Sequence, residues 1–289
     1  MFPAEFDYYR PDSLQGALDL LSRFGDDARI LAGGHSLLPA MRLRLAQPKV
    51  LIDIGRLRDL AYIREENGEV AVGALTTHYE VETSSLLEAR ATAFPDAAKV
   101  LADVQVRNRG TVGGALAHAD PAADYPAVVL ALGGRVVFTG PSGKRSVAAD
   151  DLFVGPFTTA IRPGEILTEL RIPAQGPGTG SAYVKFVRRA SDYGMAGVAA
   201  RITVDGAGVC REARVAVTCV GPTAYRATET EKALVGQRLT DDVIAAAAEK
   251  AVAGVDVADD PYVPADYRSH LARVIARRAI AAARDRASR

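Results

Sequence analysis

Ala32-Gly33-Gly34-His35-Ser36-Leu37-Leu38-Pro39 is the stretch on which the reading of this chain turns. Just before it, residues 29–31 read as a short strand. Just after it, 37–45 carries a helical apolar rhythm with Arg42 and Arg44, and Pro48 stops that rhythm before an apolar strand at 50–54. Strand, glycine loop, helix and strand in that order make a βαβ unit with its loop at the strand end. A glycine pair at that point lets backbone come close to a large ligand and turn amides toward phosphate oxygens without a lysine. A second segment, Arg107-Asn108-Arg109-Gly110-Thr111-Val112-Gly113-Gly114-Ala115, carries another pair, and Asp120-Pro121-Ala122-Ala123-Asp124 follows it. Thr111 offers a hydroxyl and Asp124 a carboxylate suited to sugar hydroxyls. One glycine pair is weak; two read as a grip on one phosphate-bearing ligand. Neither has the spacing of the dinucleotide-binding GxGxxG or of the P-loop, so Rossmann and kinase readings lose their support.

Working outward, Ser13 opens a helix with Leu14, Ala17, Leu18 and Leu21 on one face and Gly25 near its end. Beyond Gly55, an Asn67-Gly68 turn between 61–64 and 69–72 predicts a hairpin. Helices are expected over 78–87 and 97–104, an apolar run over 127–132, and a second hairpin from 135–138 through Gly140-Pro141-Ser142-Gly143. Turn residues at 173–180 mark a linker. Strands follow at 182–187, 197–204 and 214–220, then two alanine-rich helices, the last with Arg273, Arg277, Arg278 and Arg284 on what reads as a solvated face. No internal repeat is visible. Three parts are expected: 1–56, 57–175 and 176–289.

At 289 residues the chain can hold two or three domains and a site between them. Its 35 Lys and Arg balance 35 Asp and Glu, so no overall field draws it to nucleic acid or to an anionic membrane. The first residues show neither a basic segment nor an apolar one of the secretory kind, and no apolar run approaches the roughly 20 residues of a membrane span. The chain is expected in the cytoplasm, with the inner membrane face as the alternative place. Cys210 and Cys219, read as lying in neighbouring strands, form no CxxC set. His35, His78, His118 and His270 have no metal spacing, and no nucleophile motif is present.

Taken together, the segments at 32–39, 107–114 and 120–124 resemble the FAD-binding medium subunits of the molybdenum hydroxylases, the xanthine dehydrogenase family, and within it the aerobic carbon monoxide dehydrogenase type. The resemblance covers essentially the whole chain. It implies an α+β fold: a vanillyl-alcohol-oxidase/PCMH-type FAD-binding fold of two subdomains, plus a C-terminal α/β domain of sheet and helices. It implies non-covalent FAD, with Ala32, Gly33, Gly34, His35 and Ser36 and then Thr111, Val112, Gly113, Gly114 and Ala115 around the diphosphate and ribityl chain, and Asp124 on hydroxyls. Ala115 departs from the family, where Asn is common. Leu101 and Leu167 fall at apolar FAD contacts, Lys185 near the flavin ring, and Tyr193 over the isoalloxazine. No residue of this chain is assigned a catalytic or metal-ligating role. The molybdenum cofactor and the 2Fe-2S clusters are placed on a large and a small partner subunit, in a dimer of heterotrimers, with electrons leaving to a quinone or another acceptor. Carbon monoxide is the expected substrate of the whole enzyme, with N-heterocycles and aldehydes as alternatives.

The residues themselves leave other readings open. Lys185 fits a surface lysine on a strand, Tyr193 an interdomain packing residue, Leu101 and Leu167 plain core leucines, and Asp120 a helix N-cap. A free-standing flavin oxidase would want a catalytic base in the C-terminal domain, where none stands out. A structural subunit without flavin is the third alternative.

Overall fold

The computed structural model describes residues 2–288, and three sheets larger than a ribbon organise it. The N-terminal part runs β1 (Asp7–Tyr9), α1 (Leu14–Phe24), β2 (Ala28–Leu31), α2 (Leu37–Arg42) and β3 (Val50–Asp53), with the strands parallel in the order β1-β3-β2. Helix α1 starts where Ser13, in extended backbone, accepts from the Gly16 amide at 3.1 Å, and it ends at Gly25 with φ 50°. Its Ala17 and Leu18 bury against Val50 and Ile52. The predicted βαβ unit is present. Helix α2 stops short of the expected residue 45, because Arg44 turns left-handed (φ 61°) and the Leu45 amide returns to the Ala40 carbonyl.

The middle part holds β4 (Ile63–Glu66), β5 (Glu69–Gly73), α3 (His78–Glu82), α4 (Ser85–Arg90), α5 (Ala93–Val100), α6 (Val104–Arg107), α7 (Val112–His118), α8 (Tyr125–Leu132), β6 (Arg135–Gly140), β7 (Gly143–Ala148), the ribbon β8 (Phe153–Gly155) with β9 (Thr158–Thr159), and β10 (Ile166–Pro173). Its antiparallel sheet has the order β4-β5-β10-β6-β7, and both predicted hairpins form its edges. The expected helix over 78–87 is two helices, since Thr77 with Glu80 makes a capping box for α3 and Ser84 caps α4. The one expected over 97–104 is also displaced: α5 ends at Val100, Ala102 is left-handed (φ 46°), and Asp103 caps α6. Every residue of α8 is buried, because this helix packs both on β10 and on the C-terminal sheet.

That last sheet runs β11 (Thr179–Phe186), β12 (Ala196–Val204), β13 (Cys210–Thr218) and β14 (Tyr225–Arg226), followed by α9 (Thr228–Leu234), α10 (Asp241–Ala248) and α11 (Ala265–Ala287). Helix α9 was not anticipated. Helix α11 lies on β11 and β12 with Ile275, Ala276, Ala279, Ile280 and Ala283 inward, and at Gly180 a Cβ would stand 2.3 Å from the Ala283 carbonyl oxygen. Burying Ile275 and Ile280 contributes about 2 kcal/mol each. Arg277 and Arg278 face solvent, as the amphipathic reading expects. The cysteines correct their reading: they occupy the two ends of one strand, Cys210 opening β13 and Cys219 just past it, both buried and free.

Candidate cofactor site

The first glycine segment forms the turn from β2 into α2. Gly34 has φ 80°, which a side chain adopts only under strain. At Gly33 the restriction is spatial: a Cβ would lie 2.2 Å from the Arg109 carbonyl oxygen and 2.9 Å from Gly110 Cα. The two glycine segments, 75 residues apart in sequence, therefore touch backbone to backbone. Among the described residues, the amides of Gly33, Gly34, His35 and Ser36 meet no acceptor, and His35 and Ser36 are exposed. Four consecutive unclaimed donors on a turn form a concavity suited to the oxygens of a diphosphate.

The second segment uses its amides differently. Its glycine pair lies in the first turn of α7, where Thr111 Oγ1 accepts from the Gly114 amide at 3.2 Å. Val112 N donates to Thr76 O (2.9 Å), Gly113 N to Ala74 O (2.8 Å) and Ala115 N to Thr111 O (3.0 Å), while the His78 amide donates to Gly110 O (3.0 Å). A Cβ on Gly113 would lie 2.5 Å from that of Ala74. This jaw is thus stitched to the loop after β5, and it holds the first jaw in place through Arg109 and Gly110. The Thr111 side chain is buried, and its hydroxyl, used here as an acceptor, keeps a proton to donate.

Asp120 is no helix N-cap: its Oδ1 accepts from the Ala122 amide at 2.9 Å in a local turn, and α8 begins only after Asp124. Asp124 is buried, and Lys185 lies against it with Nζ 3.2 Å from both carboxylate oxygens; their side chains are 5% and 3% exposed. Lys185 is therefore not a surface lysine. The Tyr183 phenol donates to Asp124 Oδ1 at 2.6 Å. Burial leaves the Asp124 carboxyl above its ordinary range, and Lys185 and the Tyr183 phenol offset that only in part. Tyr183 was not singled out from sequence, although it lies on the same strand face as Lys185, two residues away.

Tyr193 does not pack between domains. It is 72% exposed, on a turn where Ser191 has φ 69°. Leu167 is buried at the bulge of β10, and Leu101 is partly buried where α5 ends. His78 is a second residue that sequence reasoning passed over. Its ring is buried, Nδ1 lies 3.2 Å from the Tyr125 hydroxyl, and a Cβ on Gly110 would come within 2.6 Å of Nε2. Desolvation, with the charges of His35 and Arg107 beside it, lowers its pKa to about 4, so the imidazole is neutral.

A cleft of about 510 Å³ lies elsewhere, on the open face of the middle sheet. Four of its five cations are paired on the spot, Arg135 with Glu69 at 2.7 Å, Arg145 with Glu165 at 2.6 Å, Arg171 with Glu169 at 2.5 Å and Arg64 with Glu66 at 2.7 Å, while Lys144 has no ion pair among the described residues. With its arginines paired and Asp59 on its wall, the cleft gathers no cluster of free cations for an anion, and the glycine jaws remain the candidate site.

Comparison with known proteins agrees. Residues 4–175 match the FAD binding domain in molybdopterin dehydrogenase, and residues 181–283 the CO dehydrogenase flavoprotein C-terminal domain. The chain is 42% identical to the carbon monoxide dehydrogenase medium chain of Hydrogenophaga pseudoflava over 98% of each chain. It is 41% identical to the 6-hydroxypseudooxynicotine dehydrogenase complex subunit alpha of Paenarthrobacter nicotinovorans over 99% of this chain and 97% of that one. A solved chain of the carbon monoxide dehydrogenase from Hydrogenophaga pseudoflava superposes with a TM-score of 0.95 at 43% identity, covering 99% of both. The free jaw at Gly33–Ser36, the backing jaw at Thr111–Ala115 and these full-length likenesses lead to one conclusion: the chain belongs to the family of FAD-binding medium subunits of the molybdenum hydroxylases.

Proposed function

We propose that this chain carries electrons within a carbon monoxide dehydrogenase-type enzyme, receiving them from 2Fe-2S clusters of a small partner subunit and releasing them to a quinone, while a large partner subunit oxidises the substrate at a molybdenum cofactor. FAD supplies the redox chemistry when bound. The chain's residues bind and shape: the amides of Gly33, Gly34, His35 and Ser36 take the diphosphate, the Thr111 hydroxyl and neighbouring residues take the ribityl chain, Leu101 and Leu167 offer apolar contact, and Lys185 and Tyr193 stand toward the flavin ring. No acid or base for substrate chemistry is required of it.

The observation that carries this reading is the run of four unclaimed amides beside a glycine that the opposite jaw's carbonyl leaves no room to enlarge. Purified chain should hold FAD that denaturation releases completely; a flavin-free protein that takes up none on titration with FAD would sink the reading, and colour retained by the denatured chain would overturn the non-covalent assignment. A second substrate reading has its own support, since the pseudooxynicotine-type relative is 41% identical against 42% for the carbon monoxide type. Co-expression with neighbouring molybdenum and iron-sulfur subunits, followed by assays on carbon monoxide, aldehydes and N-heterocycles, separates the two.

A further inference from the structure

The ammonium of Lys185 has its donors claimed within the chain. Nζ lies 3.2 Å from Asp124 Oδ1, 3.2 Å from Oδ2, and 3.4 Å from the Val100 carbonyl. The carboxylate is equally constrained, because the Tyr183 phenol occupies Oδ1 at 2.6 Å. The turn that presents Asp124 is itself fastened to the end of β13. Pro121 O accepts from the Cys219 amide (3.0 Å) and from Thr218 Oγ1 (3.2 Å), Ala123 O accepts from Thr218 Oγ1 (2.7 Å), and the Cys219 thiol donates to Ala122 O (3.4 Å).

Two glycines clear the space for this array. At Gly194 a Cβ would stand 2.7 Å from Cys219 Sγ and 3.3 Å from Lys185 Cε, and at Gly197 it would stand 2.3 Å from the Tyr183 hydroxyl. The other groups facing Asp124 are uncharged. Burial holds the Tyr183 and Tyr125 phenols well above their ordinary range, and the Cys219 thiol is pushed up to about 12. Farther out, Glu82 and Arg107 lie toward Tyr125 and Arg268 toward Cys219.

We infer that Asp124 is a positioning residue for Lys185: with Tyr183 it fixes the ammonium and offsets its charge, so that the flavin meets half of a neutral pair and not a free cation. This rests on the reading of Lys185 as the flavin-side lysine. Removing one partner of a buried pair exposes the full field of the other, whereas removing both restores neutrality. The two single substitutions therefore act in opposite directions on electron affinity.

The test is the flavin midpoint potential, measured by spectroelectrochemistry on the FAD-loaded protein, with flavin content read from its absorbance. D124N should raise the potential, K185M should lower it, and the double variant K185M/D124N should return close to wild type. D124N at or below the wild-type potential with flavin bound, or a double variant displaced as far as K185M, overturns the inference alone. A wild-type chain that binds no FAD overturns the FAD-subunit reading and this inference with it. Should D124N fail to fold, Y183F carries the test. Losing the phenol lets Asp124 take up a proton at higher pH, so the Y183F potential should rise above wild type as pH falls; a Y183F curve that tracks wild type at every pH refutes the array.

Discussion

Replacing Gly33 with alanine places one methyl group where the structure has no room. The new Cβ would lie 2.2 Å from the Arg109 carbonyl oxygen, 2.9 Å from its carbon and 2.9 Å from Gly110 Cα. Ordinary carbon–oxygen contacts begin at about 3.3 Å, so the two jaws must part by roughly 1 Å. All three obstructing atoms are backbone, and that backbone is tied down by the His78 amide on Gly110 O and by the Gly110 amide on Val106 O at 2.7 Å. No flexible side chain can swing aside. Overpacking of this kind costs about 1–3 kcal/mol. If the displacement falls on the cofactor jaw, FAD affinity drops roughly 5- to 140-fold, at about 1.4 kcal/mol per tenfold. Titrating apoprotein with FAD and following flavin fluorescence measures the dissociation constant directly. Gly206→Ala is the control, since nothing lies within 4 Å of its Cβ position. Gly33→Ala binding FAD within twofold of wild type would refute the argument that contact between the jaws shapes the site.

Three other outcomes are expected. His78 is neutral and buried, with its pKa lowered from 6.5 to about 4, so the unfolded chain binds its proton first on acidification. Its contribution is intact above pH 6.5 and falls away toward pH 4, by about 3 kcal/mol in all, and denaturant unfolding of His78→Gln across that window should show a flatter slope. Arg268 is buried and donates to the carbonyls of Ala258 (3.0 Å), Met195 (3.2 Å) and Cys219 (2.7 Å), besides pairing with Asp260. Arg268→Met should destabilise by about 3–5 kcal/mol in thermal or denaturant unfolding, because those carbonyls and Asp260 lose their partner; a loss under about 1 kcal/mol would contradict it. Burial pushes the thiols of Cys210 to about 11 and Cys219 to about 12. Mass spectrometry should accordingly find neither alkylated by iodoacetamide in the native protein and both alkylated after denaturation.

Local chemistry made much of the fold readable. Ser13 and Gly25 bound α1, Asn67-Gly68 turns the first hairpin, and Gly140 to Gly143 turn the second, because caps and tight turns act within a few residues. Periodicity failed where the chain interrupts its own helices. Ser84 and Asp103 are caps inside the spans expected as single helices, and Ala102 and Arg44 adopt left-handed backbone that no propensity favours. The cysteines went astray for a related reason: β13 begins before the expected residue 214, at Cys210, so what looked like two strands is one.

The site divides along the same line. Sequence alone determined that two glycine segments exist, that Thr111 and Asp124 accompany them, and which family they mark, since these are matters of residue type and spacing. Only the tertiary structure decided their division of labour. Gly33 to Ser36 keep their amides free, while the amides of Val112 to Ala115 are taken up by Ala74, Thr76 and Thr111. Only the tertiary structure, too, paired Asp124 with Lys185 under the Tyr183 phenol, across 61 residues. Which donor stays unclaimed, and which charge is offset, depends on what the folded chain brings within 3 Å or so of it, and no local pattern encodes that distance.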